Sequence, residues 1–140
     1  MSIDLGIDNL MTCIDNQEFR GYIINGKPLK SINHFYNKKL SQYKSTRDKK
    51  NKQAYKAKIE KLSLKRNNKI NDYLHKASRC IANHLVSKNI NTLIIGYNKE
   101  WKQEADIGKV NNQNFVQIPH AKLVQMLTYK CQLEGINVII

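Results

Sequence analysis

One stretch of the sequence constrains the fold more than any other, because its apolar and aromatic residues repeat at intervals of three and four over about 35 positions. Such spacings place side chains on one face of an α-helix. The stripe contains Tyr55, Ile59, Leu62, Ile70, Tyr73, Leu74, Ala77, Ile81 and Leu85, with Arg66 where an aliphatic residue would be expected. The pattern predicts a long helix over about Lys52–Ser87, preceded by a shorter helix over about residues 32–43.

Strand patterns come before this helical stretch. Residues 2–7 alternate polar and apolar, and residues 11–14 and 21–24 are short runs rich in apolar side chains. The dipeptide Asn25-Gly26 that follows is a strong turn signal. Three short strands so close in sequence predict an antiparallel meander.

The second half of the chain predicts alternating strands and helices. Residues 91–97 are a compact apolar run typical of a buried strand, and residues 136–140 are another. Between them Pro119 is expected to open a helix that ends near Gly135. Its stripe is Leu123, Met126, Leu127, Lys130 (by its stem), Cys131 and Leu133. The order of elements predicts one mixed α/β sheet with parallel crossovers in its second half, and 140 residues suffice for one core.

The charge balance points to a polyanionic partner. The chain has 24 Lys and Arg against 11 Asp and Glu, a formal net charge of +13. Of these, 13 basic residues lie between Lys38 and Lys69, opposed only by Asp48 and Glu60. Nucleic acid is the favoured partner because lysine and arginine bind phosphates with release of counterions. The alternatives are a solvated basic face without a partner and, less favoured, an anionic membrane surface, since no bulky apolar helix face accompanies the charge.

The cysteines predict neither a disulfide framework nor a metal site. Cys13, Cys80 and Cys131 are odd in number and widely separated, and no C-x-x-C pair occurs. The sequence therefore predicts neither a disulfide scaffold nor a zinc ribbon, but buried, reduced thiols in a cytoplasmic protein. We expect no membrane partner, since neither a signal peptide nor an apolar stretch near membrane length is visible.

A resemblance to a known family rests on several ordered segments. Residues 2–12 resemble the first motif of RuvC-type nucleases as it occurs in the transposon-encoded TnpB (OrfB) family, where an aspartate on the first strand is followed by Leu-Gly. That motif alone is weak. Residues 25–33, 64–78, 98–103 and 112–119 resemble one branch of the same family in the same order. The resemblance covers essentially the whole chain and implies an RNase H-like (RuvC-type) fold.

The resemblance also implies a function and a first site residue. The family's members are RNA-guided DNA endonucleases, which implies DNA and guide RNA as partners and Mg²⁺ as cofactor. Asp4 matches the family's first catalytic aspartate, a metal ligand. A carboxylate within an apolar strand also suggests a compensating metal or set of hydrogen bonds, although a turn contact or capping role is the alternative. Asp8 is the second choice and more typical of a turn.

The sequence departs from the family pattern at the position of the second catalytic carboxylate. In many members it ends the strand that here reads Leu93-Ile94-Ile95-Gly96, which carries no acid. In the branch that this chain resembles, the second carboxylate follows the next strand. The resemblance therefore implies that it lies just beyond residues 137–140. We therefore expect residues 1–140 to form a partial RuvC-like domain, incomplete at its carboxyl end, with a basic helical insertion at about residues 31–88. Glu100 and Glu104 are weak substitutes, because an exposed polar loop is a poor place for a preorganised ligand.

Candidate nucleic-acid contacts follow from the charge and the aromatic residues. They are Lys27, Lys30, Lys58, Lys61, Lys65, Arg66, Lys69, Trp101 and Lys102. Trp101 could stack on a base or anchor its own loop, and a phosphate contact from His75 is less favoured than a packing or surface role. The expected function is nucleic-acid binding by part of an endonuclease, with little cleavage by this chain alone. The alternative is a non-enzymatic basic DNA- or RNA-binding module, or a transposase remnant; the oligomeric state stays open.

Overall fold

A computed structural model describes residues 1–16, 21–45, 52–97 and 118–140 of the chain. Five strands and three helices are present in these residues, in the predicted α/β order. The elements are β1 (Ser2–Leu5), β2 (Asn9–Ile14), β3 (Gly21–Asn25), α1 (Lys27–Ser45), α2 (Lys52–Ser87), β4 (Thr92–Gly96), α3 (His120–Leu133) and β5 (Asn137–Ile139).

The strands form one mixed sheet in the order β3-β2-β1-β4-β5. The pairs β1–β2 and β2–β3 are antiparallel, whereas β1–β4 and β4–β5 are parallel. The predicted meander followed by parallel crossovers is confirmed. The first strand lies at the centre, so residues on β1 have a neighbour on both sides.

The two faces of the sheet differ in their cover. Alternate strand residues point to opposite faces, and one set, which includes Ile3, Leu5 and Leu93, is buried in a single core with α2 and α3. The other set remains exposed. Its largest apolar members are Ile14, Ile23, Ile94 and Ile139. We call this second side the open face.

Helix α1 begins at Lys27, earlier than the sequence predicted. The Asn25 side-chain oxygen accepts a hydrogen bond from the Lys27 N–H at 2.8 Å, which caps the first turn. Pro28 suits that turn because it needs no N–H partner there. Gly26 is required because a Cβ at this position would lie 1.9 Å from the Ile7 carbonyl oxygen. The Asn-Gly pair thus starts a helix rather than closing a hairpin.

Helix α2 has the bounds that the sequence predicted, yet its two halves lie in different surroundings. From Ile70 onward its stripe is buried in the core, with Leu74, Ile81 and Leu85 fully enclosed. Before Ile70 the stripe is only half-buried and packs beside α1. The helix ends where Asn89 adopts a left-handed φ of 53°, and the Ile90 N–H bonds back to the Leu85 carbonyl at 2.9 Å.

Helix α3 also forms as predicted, with two corrections to its stripe. Leu133, the last residue of the helix, is 74% exposed, although Cys131 in the same turn is buried. Lys130 buries its ammonium group as well as its stem: Nζ donates to the His75 carbonyl at 2.8 Å and to Ser78 Oγ at 2.7 Å. Burial lowers the pKa of Lys130. Gly135, at a φ of +71°, follows the helix as the expected cap.

The thiols are free, but they are not all buried. Cys13 and Cys131 lie in the core, whereas Cys80 is exposed. The expectation of burial is wrong for Cys80, because its position on α2 lies outside the apolar stripe. Within the four described ranges, no helix combines the length and the apolar character needed to cross a bilayer.

Candidate nucleic-acid interface

Asp4 lies on the central strand with its side chain on the open face. Its strand neighbours in register are Thr12 on β2 and Gly96 on β4, while Ile3 and Leu5 on either side point into the core. Asp4 is exposed. The sequence argument that its carboxylate would be costly inside an apolar strand is therefore wrong, because strand alternation turns it toward solvent. The carboxylate is accessible for a ligand.

Gly96 leaves space beside that carboxylate. A Cβ built on Gly96 would lie 3.8 Å from Asp4 Oδ1, an ordinary contact distance. The β4 position that directly adjoins Asp4 across a parallel pair therefore carries no side chain. A carboxylate there would be a close neighbour of Asp4, and the sequence supplies none.

The described residues do not complete a site for a divalent cation. Mg²⁺ favours several oxygen ligands in a near-octahedral arrangement, and Asp4 supplies one carboxylate. No group of three or more His, Cys, Asp or Glu side chains suited to a metal is present in the described ranges.

Asp8 and Lys30 form an ion pair at the turn after β1. Lys30 Nζ lies 2.6 Å from Asp8 Oδ1, and the carboxylate is well exposed. The hydrogen bond and charge of Lys30 lower the pKa of Asp8. Asp8 is thus a turn residue, as expected, and Lys30 already has an anionic partner within the chain.

His120 was not singled out from the sequence, although it supports the turn that follows Asp4. It is fully buried at the start of α3, and its Nε2 lies 3.0 Å from the Gly6 carbonyl oxygen. The contact joins residues 114 positions apart. Only the tertiary fold brings them together, and a lone histidine after a proline gives no sequence signal of the contact.

Four lysines share one face in the first half of α2. Lys58, Lys61, Lys65 and Lys69 are all exposed, and at 3.6 residues per turn they fall within a sector of about 80° that extends about 16 Å along the axis. We call these four the lysine row. The only acid between them in sequence, Glu60, projects from the opposite side of the helix.

Arg66 differs from the lysine row because it holds the two basic helices together. Its Nε donates to Asn33 Oδ1 on α1 at 2.8 Å, and its guanidinium lies 5.3 Å from the ring centre of Tyr36. Burial lowers the pKa of Arg66. Tyr36 and Ser63 add a hydroxyl contact of 3.1 Å between the same helices. These contacts explain why an arginine replaces an aliphatic residue in the stripe.

A cavity of about 280 Å³ opens between α1 and α2 beside the lysine row. Its lining combines apolar, aromatic and cationic side chains, among them Phe35, Tyr36, Leu62, Lys65, Arg66 and Lys69. Phe35 is 56% exposed. The sequence reasoning missed Phe35; the available signal was an aromatic residue off the apolar stripe of α1, which a core role does not explain.

The remaining predicted contacts do not line this cavity or lie outside the described residues. Lys27 is exposed at the first turn of α1, and His75 is exposed in the second half of α2. Trp101, Lys102, Glu100 and Glu104 fall within residues 98–117, outside the described ranges. The structure thus brings Lys65, Arg66 and Lys69 together at one cavity and leaves Asp4 on the sheet.

The fold defines a class of protein: a RuvC-type α/β domain whose central β1 carries an exposed aspartate and whose helical hairpin is basic. The family model of the OrfB_IS605 probable transposases matches residues 1–102. The chain belongs to this family, to which the TnpB proteins are assigned. No curated protein matches the chain.

Two solved structures share the fold. A Cas12f1–sgRNA–target DNA complex determined by cryo-EM is 17% identical, with a TM-score of 0.72, and the match covers 97% of this chain and 33% of that chain. A cryo-EM structure of a CRISPR–Cas12f ternary complex is 20% identical, with a TM-score of 0.73 over 97% of this chain and 27% of that chain. The chain thus spans about a quarter to a third of the length of these two structures.

Proposed function

We propose that this chain binds nucleic acid through the helical hairpin of α1 and α2, as part of an RNA-guided DNA endonuclease. The lysine row is the observation that carries the proposal. Four exposed ammonium groups on one helix face, with no acid among them, repel one another unless a polyanion neutralises them. The sugar–phosphate backbone of DNA or RNA is the polyanion of matching form.

Family membership supports the choice of nucleic acid over other polyanions. A transposase acts on DNA, and one of the two structural relatives was solved with sgRNA and target DNA. On this proposal residues 1–140 belong to a RuvC-like domain in which the basic hairpin, about residues 31–88, is an insertion between β3 and β4.

Asp4 is proposed as the first catalytic carboxylate and metal ligand of the nuclease. It is exposed on the central strand, where a phosphodiester and a cation such as Mg²⁺ could both approach. A two-metal site needs several carboxylates, and the described residues contain no group of three or more His, Cys, Asp or Glu side chains that could hold a metal. We therefore expect the 140-residue polypeptide alone to bind nucleic acid and to cleave it poorly.

Binding is tested with a triple variant, Lys61→Gln/Lys65→Gln/Lys69→Gln. Its affinity for a fluorescent single-stranded oligonucleotide at about 0.1 M salt should fall on the order of 100-fold if each lysine neutralises one phosphate. The matched control, Lys76→Gln/Lys88→Gln/Lys122→Gln, removes the same net charge from the second half of α2, the turn after it and α3. An equal loss in both variants would show that only net charge matters, and would contradict the proposed surface.

Cleavage is tested with the same polypeptide and a nicking assay in Mg²⁺. Robust cleavage that disappears in Asp4→Asn would contradict the expectation of poor activity, while it would support the role of Asp4. Weak or absent cleavage by both proteins, together with the binding described above, agrees with the proposal.

A second candidate function is a non-enzymatic basic module that binds DNA or RNA. The incomplete carboxylate set around Asp4 in the described residues favours it. Asp4→Asn separates the two candidates in a longer protein that carries the family's remaining acidic motifs: loss of cleavage with unchanged binding supports the nuclease, and no cleavage by either version supports the module.

A further inference from the structure

We propose that the cavity between α1 and α2 takes one unpaired base of single-stranded nucleic acid, with the base against Phe35 and the adjacent phosphates on Lys65 and Lys69. The inference rests on the proposed function and adds the form of nucleic acid that the surface prefers. It arises from the placement of an exposed aromatic ring beside cations at a concave site.

The exposure of Phe35 is the first step. A phenylalanine that is 56% exposed on a helix has no packing role to explain it. Phe35 lies off the face of α1 that carries Leu29 and Asn33, both fully buried. Its ring therefore presents apolar surface at the rim of the cavity, where a flat aromatic ligand could cover it.

Two lysines lie beside the exposed ring of Phe35 at the cavity. Lys65 and Lys69 line the same cavity and are spaced four residues apart, so they lie one turn apart on the same side of α2. Both are exposed. Cations that flank an aromatic ring are the arrangement by which proteins hold single strands, since phosphates meet the cations and the base stacks on the ring.

Contacts between α1 and α2 make the cavity rigid. Arg66 is held by Asn33 and lies over Tyr36, so the wall of the cavity is fixed before a ligand arrives. The contact between Tyr36 and Ser63 fixes the spacing of the two helices. A preformed cavity loses little conformational entropy on binding. A base in an intact duplex cannot enter it, because its faces are stacked on its neighbours.

The test compares a short oligothymidylate with an abasic oligonucleotide of equal length and equal charge. Wild-type protein should bind the oligothymidylate about tenfold more tightly, the gain typical of stacking one base. Phe35→Ala should bind the two probes equally. Phe35→Trp should restore the preference and Phe35→Leu should not, because leucine keeps apolar area without a ring face. The control is Leu64→Ala, at an exposed apolar residue of α2 that does not line the cavity.

The outcomes separate this inference from the proposed function. Lys65→Gln/Lys69→Gln should weaken binding of both probes by the same factor and leave the preference for bases intact. If Phe35→Ala retains the full preference, or if wild-type protein binds duplex more tightly than single strand, the base site is wrong while backbone binding stands. If the lysine variant also binds both probes normally, the proposed function fails with it. Oligouridylate run in parallel shows whether the strand is DNA or RNA.

Discussion

The two halves of α2 are one continuous helix with opposite roles. Residues after Ile70 bury a continuous stripe against the sheet and α3. Even Lys130 of α3, which donates a hydrogen bond to Ser78 in this half, is buried. Residues before Ile70 bury much less, pack beside α1 and carry the lysine row. The comparison teaches that the same periodicity of three and four supports a buried core in one half and an exposed basic surface, proposed to bind nucleic acid, in the other.

Substitution in the buried half should have the largest effect on folding. Ile81→Ala removes a fully enclosed side chain and should lower the free energy of unfolding by about 2–5 kcal/mol, measured by urea denaturation. Ile59→Ala, at the corresponding stripe of the first half, should cost only about 1 kcal/mol because Ile59 is half-buried. Equal losses would contradict the division of the helix.

Lys130→Met should have a smaller effect, of opposite sign. Methionine replaces an enclosed ammonium that has no carboxylate partner among its hydrogen bonds, and Ser78 keeps its bond to the Leu74 carbonyl. We expect a gain of about 1 kcal/mol at pH 7 in the free energy of unfolding. Lys122→Met, on the exposed side of the same helix, should change it little.

The pH dependence of that gain gives an internal check. The pKa of Lys130 is lowered in the folded state, so the unfolded chain holds the proton more tightly. Wild-type stability should therefore rise, relative to the variant, as the pH increases toward the ordinary lysine pKa of about 10.4. The advantage of Lys130→Met should shrink over this range. An advantage that grows with pH would show that the buried ammonium stabilises the fold.

Neutralising three of the four lysines in the lysine row should have the smallest effect on folding. Lys61→Gln/Lys65→Gln/Lys69→Gln removes like charges at helical spacing, and the free energy of unfolding should change by no more than about 0.5 kcal/mol, toward higher stability. Thermal and urea unfolding measure it. A large loss of stability would show that these lysines stabilise the folded state, and would contradict the difference between the two halves of α2.

Much of the fold could be predicted from local patterns. The bounds of α2, the meander and the parallel crossovers follow from periods that neighbouring residues carry by themselves. The start of α1 was missed because Asn25-Gly26 suits a hairpin as well as a helix cap, and only the close approach of Gly26 to Ile7 decides between them. Burial of Leu133 was wrongly predicted because helix periodicity does not show where the packing of a helix ends. Burial of Cys80 was wrongly predicted from its residue type, although Cys80 lies outside the apolar stripe of α2.

The candidate site was less predictable, since it depends on contacts across elements. The sequence identified Lys65, Arg66 and Lys69, but the bond from Arg66 to Asn33 and the cavity beside Phe35 require two helices to be docked. Asp4 was identified by resemblance to a family motif. Its exposure reverses the burial argument, and its catalytic role stays a prediction.

The central claim is that the first half of α2 binds a phosphate backbone, and its most direct test is the salt dependence of binding. The logarithm of the association constant for a single-stranded oligonucleotide should fall linearly with the logarithm of salt concentration. In Lys61→Gln/Lys65→Gln/Lys69→Gln the slope should be shallower by about 2, since each lost phosphate contact contributes about 0.7. An unchanged slope in this variant would contradict the account.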